Sequence, residues 1–203
     1  MQITHHLEEY IIDNYLQKNK IEYICFLISY MDSILLIELI GVPVIFLLGS
    51  LFHFLYKYAG KRKWMAVISP VNESIWEHLK IAFYPALIYS IIQLAITNNL
   101  PANYFTAEII GIYFMIFFIL IAEWIYPAIL KRNVLVLDLL VFFVAILGSQ
   151  LVSYAVFNSS IKIEDWLLII IAITQTIIFA VFSFKPPKIN LLRDSVDGKY
   201  GIK

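Results

Sequence analysis

The sequence predicts an all-α, polytopic membrane bundle of five transmembrane helices, and three observations carry that prediction. Of 203 residues, 61% are hydrophobic and only 15% charged, against about 45–50% and about 25% in soluble domains. Mean hydropathy is +0.81. Five stretches reach the roughly 20 apolar residues needed to cross a hydrocarbon core about 30 Å thick. A soluble fold of this size could not hide so much apolar surface, and disordered, collagen-like and disulfide-scaffold classes fall with it. Fifteen basic and fifteen acidic residues cancel. The lipid bilayer is the partner that the composition implies; nothing in it recommends a nucleic acid.

The first 32 residues hold Glu8, Glu9 and Asp13 and no basic n-region, so no cleavable signal peptide is read there. Only Ile21 to Met31 is apolar, which is too short to cross. Residues 1–32 are therefore expected to form an N-terminal interfacial helix. The rival has six spans, with residues 21–40 crossing once and a break at Gly41-Val42-Pro43. The single cysteine, Cys25, allows no internal disulfide.

The first span is expected from about Ser33 to about Tyr56, with Glu38 and His53 as its ionisable groups. Glu38 reads as a paired core carboxylate in preference to the outer end of a polar path. The second span, about 73 to 97, is polar for two turns and apolar from Ile81. The third, about 106 to 130, carries Glu108 and Glu123. The fourth, about 134 to 157, is interrupted by Asp138. The fifth, about 166 to 184, carries no charge and is stopped by Pro186-Pro187. The bundle is thus residues 33–184, followed by a tail over 185–203. Short connections favour antiparallel neighbours. Gln93, Gln150 and Gln175 are expected to form hydrogen bonds between helices. No alternating ten-residue pattern suggests a barrel.

Lys and Arg set the expected orientation. Lys57, Lys61, Arg62, Lys63, Lys80, Lys131, Arg132 and the five basic residues of the tail place 12 of 15 positive charges on one side. Lys18, Lys20 and Lys162 lie on the other. The N-terminus is expected outside and the tail in the cytosol, in a bacterial cytoplasmic membrane.

One stretch looks chemical: Ser69-Pro-Val-Asn72-Glu73-Ser74-Ile-Trp76-Glu77-His78-Leu-Lys80. Ser69 before Pro70 reads as a helix N-cap with proline in the first turn. In such a helix Glu73, Glu77 and Lys80 share one stripe, with Ser74 and His78 on the next. His53, Glu123 and Asp138 are expected in the same half of the membrane. Buried ionisable groups cost about 2.5–3.5 kcal/mol each on insertion scales and tend to face a bundle interior. A polar pocket of His53, Glu73, Glu77, His78, Glu123 and Asp138 is therefore expected.

Carboxylates and imidazoles would suit a divalent metal, with His53, Glu73, Glu77 and His78 as its ligands. A metal-bound water could then serve a hydrolase, or the same groups could pass protons or a cation in a transporter. Neither a zincin His-Glu-x-x-His nor a Gly-x-Ser-x-Gly elbow is present. The plainer readings stand beside these. The Glu73–Lys80 stripe reads first as the solvated foot of a helix, and next as a structural polar network. His53 reads as a packing histidine before a ligand, and Trp64 and Trp76 as interfacial anchors. Asp194-x-x-Asp197-Gly198 lacks the oxygen spacing of a calcium loop and reads as a turn. No enzymatic activity is assigned on these residues, and structural or small-ligand binding leads.

Four runs together resemble a known family: Gly49-Ser-Leu-Phe-His53-Phe, Pro70 through Lys80, Phe182-Ser-Phe-Lys-Pro-Pro, and Arg193-Asp194 through Gly198-Lys-Tyr-Gly201. They are similar to an uncharacterised bacterial multi-pass membrane family, domain-of-unknown-function family 6512, over about residues 40–202. The Asn-Glu-Ser-x-Trp-Glu-His-x-Lys run is the most specific. Ser195 and Asp197 depart from the proline and threonine usual in that family's tail. The resemblance implies a small integral membrane protein without a known activity, and directs attention to Asn72, Glu73, Trp76, Glu77, His78, Lys80 and His53. Because motif and tail share one side, the tail is expected to fold back on the foot of the second span.

Overall fold

A computed structural model describes residues 33–97, 100–132 and 134–202. The chain divides into two compact units, Met1–Leu36 and Ile37–Lys203, and all packing described below is internal to the second. The described regular structure is helical: α1 Ser33–Tyr58, α2 Ile75–Ile96, α3 Tyr104–Leu130, α4 Leu135–Phe157 and α5 Asp165–Phe184, with short 3-10 turns at Lys63–Val67 and Asn190–Leu192. All five α-helices are long and apolar enough to cross a membrane. Helix α1 runs unbroken through Gly41 and Pro43, so the break required by six spans is absent. The expected interfacial helix lies outside the described residues.

Helix α2 is the most buried of the five. Its Leu79, Ala82 and Phe83 meet Ile45 of α1, Met115 of α3, Ile146 of α4 and Phe179 of α5 in one apolar core. Where backbones come close, small residues permit it. A Cβ on Gly111 of α3 would collide with Ser153 Oγ and stand 2.8 Å from Ser149 O, both on α4. On the outer face of α5, Ile169, Ile173, Ile177 and Val181 are each about half exposed. A continuous apolar stripe of that kind is at home in lipid rather than water. At the far end of the bundle, Asn103 Nδ2 donates to Val156 O at 2.7 Å and Ile163 N donates to Thr106 Oγ1 at 2.9 Å. These bonds tie the α4–α5 connection to the start of α3.

The start of α2 differs from the expected one. Asn72 Oδ1 accepts from Ser74 N at 3.0 Å, and Ser74 Oγ accepts from Glu77 N at 3.3 Å. This Asx turn makes Ser74 the N-cap and Ile75 the first helical residue. Ser69 has a different task. Its hydroxyl donates to Phe52 O at 2.7 Å and accepts from Tyr56 N at 2.9 Å. It is thus inserted between two α1 groups that an uninterrupted helix would pair directly. That insertion anchors the 3-10 segment to the turn of α1 that bears His53.

Candidate functional site

The five-residue shift in the N-cap divides the motif into two parts. Glu73 lies outside α2 and faces outward, whereas Glu77, in its first turn, points into the bundle. Lys80 is fully buried and Glu77 is 2% exposed. The Lys80 ammonium has three hydrogens and three acceptors: Ala66 O at 2.6 Å, Glu77 Oε2 at 2.7 Å and Ser183 Oγ at 2.5 Å. Glu77 Oε2 also accepts from Val71 N at 3.0 Å, and Glu77 Oε1 accepts from the Ser183 hydroxyl at 2.6 Å. The pair therefore joins α2, α5 and the loop before α2 with its polar atoms satisfied. The expected solvated foot is corrected here: these two charges are interior. Trp76 is corrected too. It packs against Phe179 and Phe182 of α5, with ring centroids 5.3 and 5.2 Å away, and is not an interfacial anchor. Trp64 is exposed.

His53, Glu73 and His78 come together on the outer side of this network. His78 Nε2 lies 3.1 Å from Glu73 Oε2, and His53 Nε2 lies 3.9 Å from Glu73 Oε1. The two imidazoles stack with centroids 5.2 Å apart. One ligand atom from each residue falls within 4.8 Å of the others. A tetrahedral zinc ion with bonds of about 2.1 Å holds its ligand atoms about 3.4 Å apart, so two of these three contacts already approach that separation. All three side chains are partly exposed. Glu77 is not in the set, because Lys80 and Ser183 hold its carboxylate.

Glu123 of α3 and Asp138 of α4 flank the cluster. They interact electrostatically with one another and each with His78. Asp138 also accepts a hydrogen bond from the Tyr126 hydroxyl. Four helices and one loop thus bring two histidines and three acids to one end of the bundle.

The tail completes the loop that carries Glu73. Ser195 donates to Glu73 O through its hydroxyl at 2.9 Å and its N–H at 3.3 Å. Asn72 Nδ2 donates to Gly201 O at 3.2 Å, and Ile202 N donates to Ser183 O at 3.0 Å. The tail does fold back on the foot of α2. Asp194 Oδ1 accepts from Val196 N at 2.8 Å, and Gly198 takes φ +71°, which is the turn expected at Asp194–Gly198.

Asn72, Trp76, Glu77 and Lys80 accordingly build the scaffold, while His53, Glu73, His78, Glu123 and Asp138 share the open cluster. Ser183 and Tyr126 are neighbours of these groups that sequence reasoning missed, whereas Ser69 was singled out but as an N-cap rather than as the link to α1. Ser183 had a legible signal, as a lone hydroxyl among aromatics in the last turn of α5. Gln93 and Gln150 do bond between helices, to Glu38 Oε1 at 2.8 Å and Glu38 O at 3.2 Å.

No curated protein matches the chain, and no solved structure does. A family model described as a family of unknown function, DUF6512, matches residues 28–202. That stretch contains all five membrane-capable helices, the histidine cluster, the Glu77–Lys80 pair and the tail that closes over them, so the chain belongs to the DUF6512 family of unknown function.

Proposed function

We propose that this is a multi-pass membrane protein that binds one divalent transition-metal ion through His53, Glu73 and His78 at the cytosolic end of its bundle. The convergence of two imidazoles and a carboxylate from three chain segments carries the reading. Such a mixed nitrogen and oxygen set suits zinc and its neighbours better than magnesium or calcium. The concentration of Lys and Arg at the same end supports its cytosolic placement and an outside N-terminus.

Zinc titration of the purified protein in lipid nanodiscs, read by calorimetry and by metal content, tests the proposal. One ion per chain is expected. His53→Ala, His78→Ala and Glu73→Gln should each weaken binding at least about tenfold, equivalent to about 1.4 kcal/mol. Zinc uptake that none of the three changes would refute it.

A second reading follows from the ligand count. Three protein ligands leave a tetrahedral ion one position for water, and Glu123 and Asp138 stand beside His78 as candidate proton acceptors. A metal-dependent hydrolase acting at the membrane surface fits that arrangement. Zinc-dependent release of product from a mixed lipid and peptide ester library, lost in Glu123→Gln with zinc binding intact, would favour it over simple binding. A transporter reading finds less support, because the apolar core around Ile45, Phe83, Met115 and Ile146 separates the two polar ends.

A further inference from the structure

A second cluster of ionisable groups lies at the other end of the bundle, and the histidine site does not use it. Glu38 of α1 and Glu108 of α3 are 1% and 4% exposed. Each has one carboxyl oxygen engaged by a neutral donor: Glu38 Oε1 by Gln93 Nε2 at 2.8 Å, and Glu108 Oε2 by the Ser90 hydroxyl at 2.5 Å. The other two oxygens, Glu38 Oε2 and Glu108 Oε1, are buried and have no partner. Their donors, Ser90 and Gln93, sit one turn apart on α2, and the Tyr104 hydroxyl reaches both, 2.5 Å from Ser90 O and 3.1 Å from Gln93 Oε1, which places the two carboxyls within electrostatic reach of one another.

The surrounding groups offer no compensation. Among the described residues no Lys, Arg or His is ion-paired with either glutamate. The titratable groups facing them are Tyr89 and Tyr104. Tyr89 donates its hydroxyl hydrogen to Ile37 O at 2.5 Å, and Tyr104 donates to Ser90 O at 2.5 Å. Gln150 spends its amide on Glu38 O. Two ionised carboxylates in this site would carry two like charges in contact and two stranded acceptors, both costly away from water.

We propose that Glu38 and Glu108 form a cation-binding carboxyl pair in the membrane interior, holding one proton between Glu38 Oε2 and Glu108 Oε1. A single proton satisfies both free oxygens with one short bond and leaves the pair with one negative charge. A sodium ion would use the same two oxygens, but hard metal cations call for more oxygen ligands than these. The proton is therefore the favoured occupant, and sodium is the competing source of the same positive charge. Ionisable groups placed in this way inside membrane bundles are candidates for proton relays. The apolar core toward the histidine end limits this pair to exchange with its own side of the bundle.

Infrared spectroscopy of the protein in lipid at neutral pH reads the carbonyl stretch of a protonated carboxyl group directly. The wild type should show one such band, and glutamate labelled with carbon-13 should shift it, which separates it from Asp138. Glu38→Gln and Glu108→Gln should each abolish the band, because the remaining carboxylate then accepts from an amide. Glu123→Gln should leave it in place. Replacing choline chloride by sodium chloride should leave the band unchanged. A loss of band with release of one proton would instead identify sodium as the occupant and still uphold the cation site. Absence of any glutamate band from the labelled wild type at neutral pH, with no sodium bound, would overturn the proposal without recourse to the variants.

Discussion

Replacing Glu77 by alanine leaves the Lys80 ammonium fully buried with two acceptors in place of three and no countercharge. It also removes the acceptor of Val71 N and one acceptor of the Ser183 hydroxyl. Breaking a buried ion pair by deleting one partner costs about 3–5 kcal/mol. The stranded Val71 N–H adds about 1–3 kcal/mol. Ser183 adds little, because its hydroxyl can turn fully to Phe179 O at 3.0 Å. A loss of about 4–8 kcal/mol is therefore expected for Glu77→Ala. Lys80→Met added to it should restore about 2–3 kcal/mol, since the unpaired charge is then gone. Equilibrium unfolding in mixed detergent micelles, followed by tryptophan fluorescence, measures both values. A loss under about 1 kcal/mol, the size of an exposed ion pair, or strict additivity of the two substitutions, would refute the view that the pair is a buried and mutually dependent unit.

Gly111→Ala should cost about 1–3 kcal/mol by overpacking the α3–α4 seam, because its new methyl meets the Ser149 backbone at 2.8 Å; the same unfolding assay checks it. Gly201→Ala places a side chain at φ +64° and 2.7 Å from Ser183 O. The tail should detach, and trypsin should cut at Arg193 and Lys199 several-fold faster than in the wild type. Ser69→Ala removes the hydroxyl inserted between Phe52 O and Tyr56 N and should cost about 1–2 kcal/mol, read as a lower thermal midpoint. In all three variants Glu73 keeps its side chain. A fall in zinc affinity in Gly201→Ala would therefore report the position of the loop rather than the loss of a ligand.

The spans were legible because length and apolar content are what a bilayer demands, and no other constraint competes with them. Each observed helix begins and ends within about two residues of the expected one, in line with the usual uncertainty of helix ends. The site was legible only in part, and Asn72 shows why. Sequence spacing on a helix assumes that the helix has already begun. The Asn72–Ser74 turn delays the start of α2 until Ile75, so Glu73 and Glu77 do not share a stripe. One acid goes to the histidines and the other to Lys80. Glu38 was read as a paired carboxylate from its place in an apolar helix. That Gln93, 55 residues onward, engages its carboxyl depends on how α1 and α2 pack, which no local pattern encodes.

The returning tail has a consequence for how this protein is made. Ser195 and Gly201 bond to residues 122 and 129 positions earlier in the chain. During synthesis, α1 and α2 can enter the membrane long before those partners exist. The loop bearing Glu73 must then wait, with its final anchors missing, until α5 has been inserted and the segment beyond it released. A nascent chain halted after Pro187 would possess every span and still lack the contacts that seat this loop. Seating of the loop that carries Glu73 is thereby tied to synthesis of residues 195–201, which emerge only after the last of the five helices.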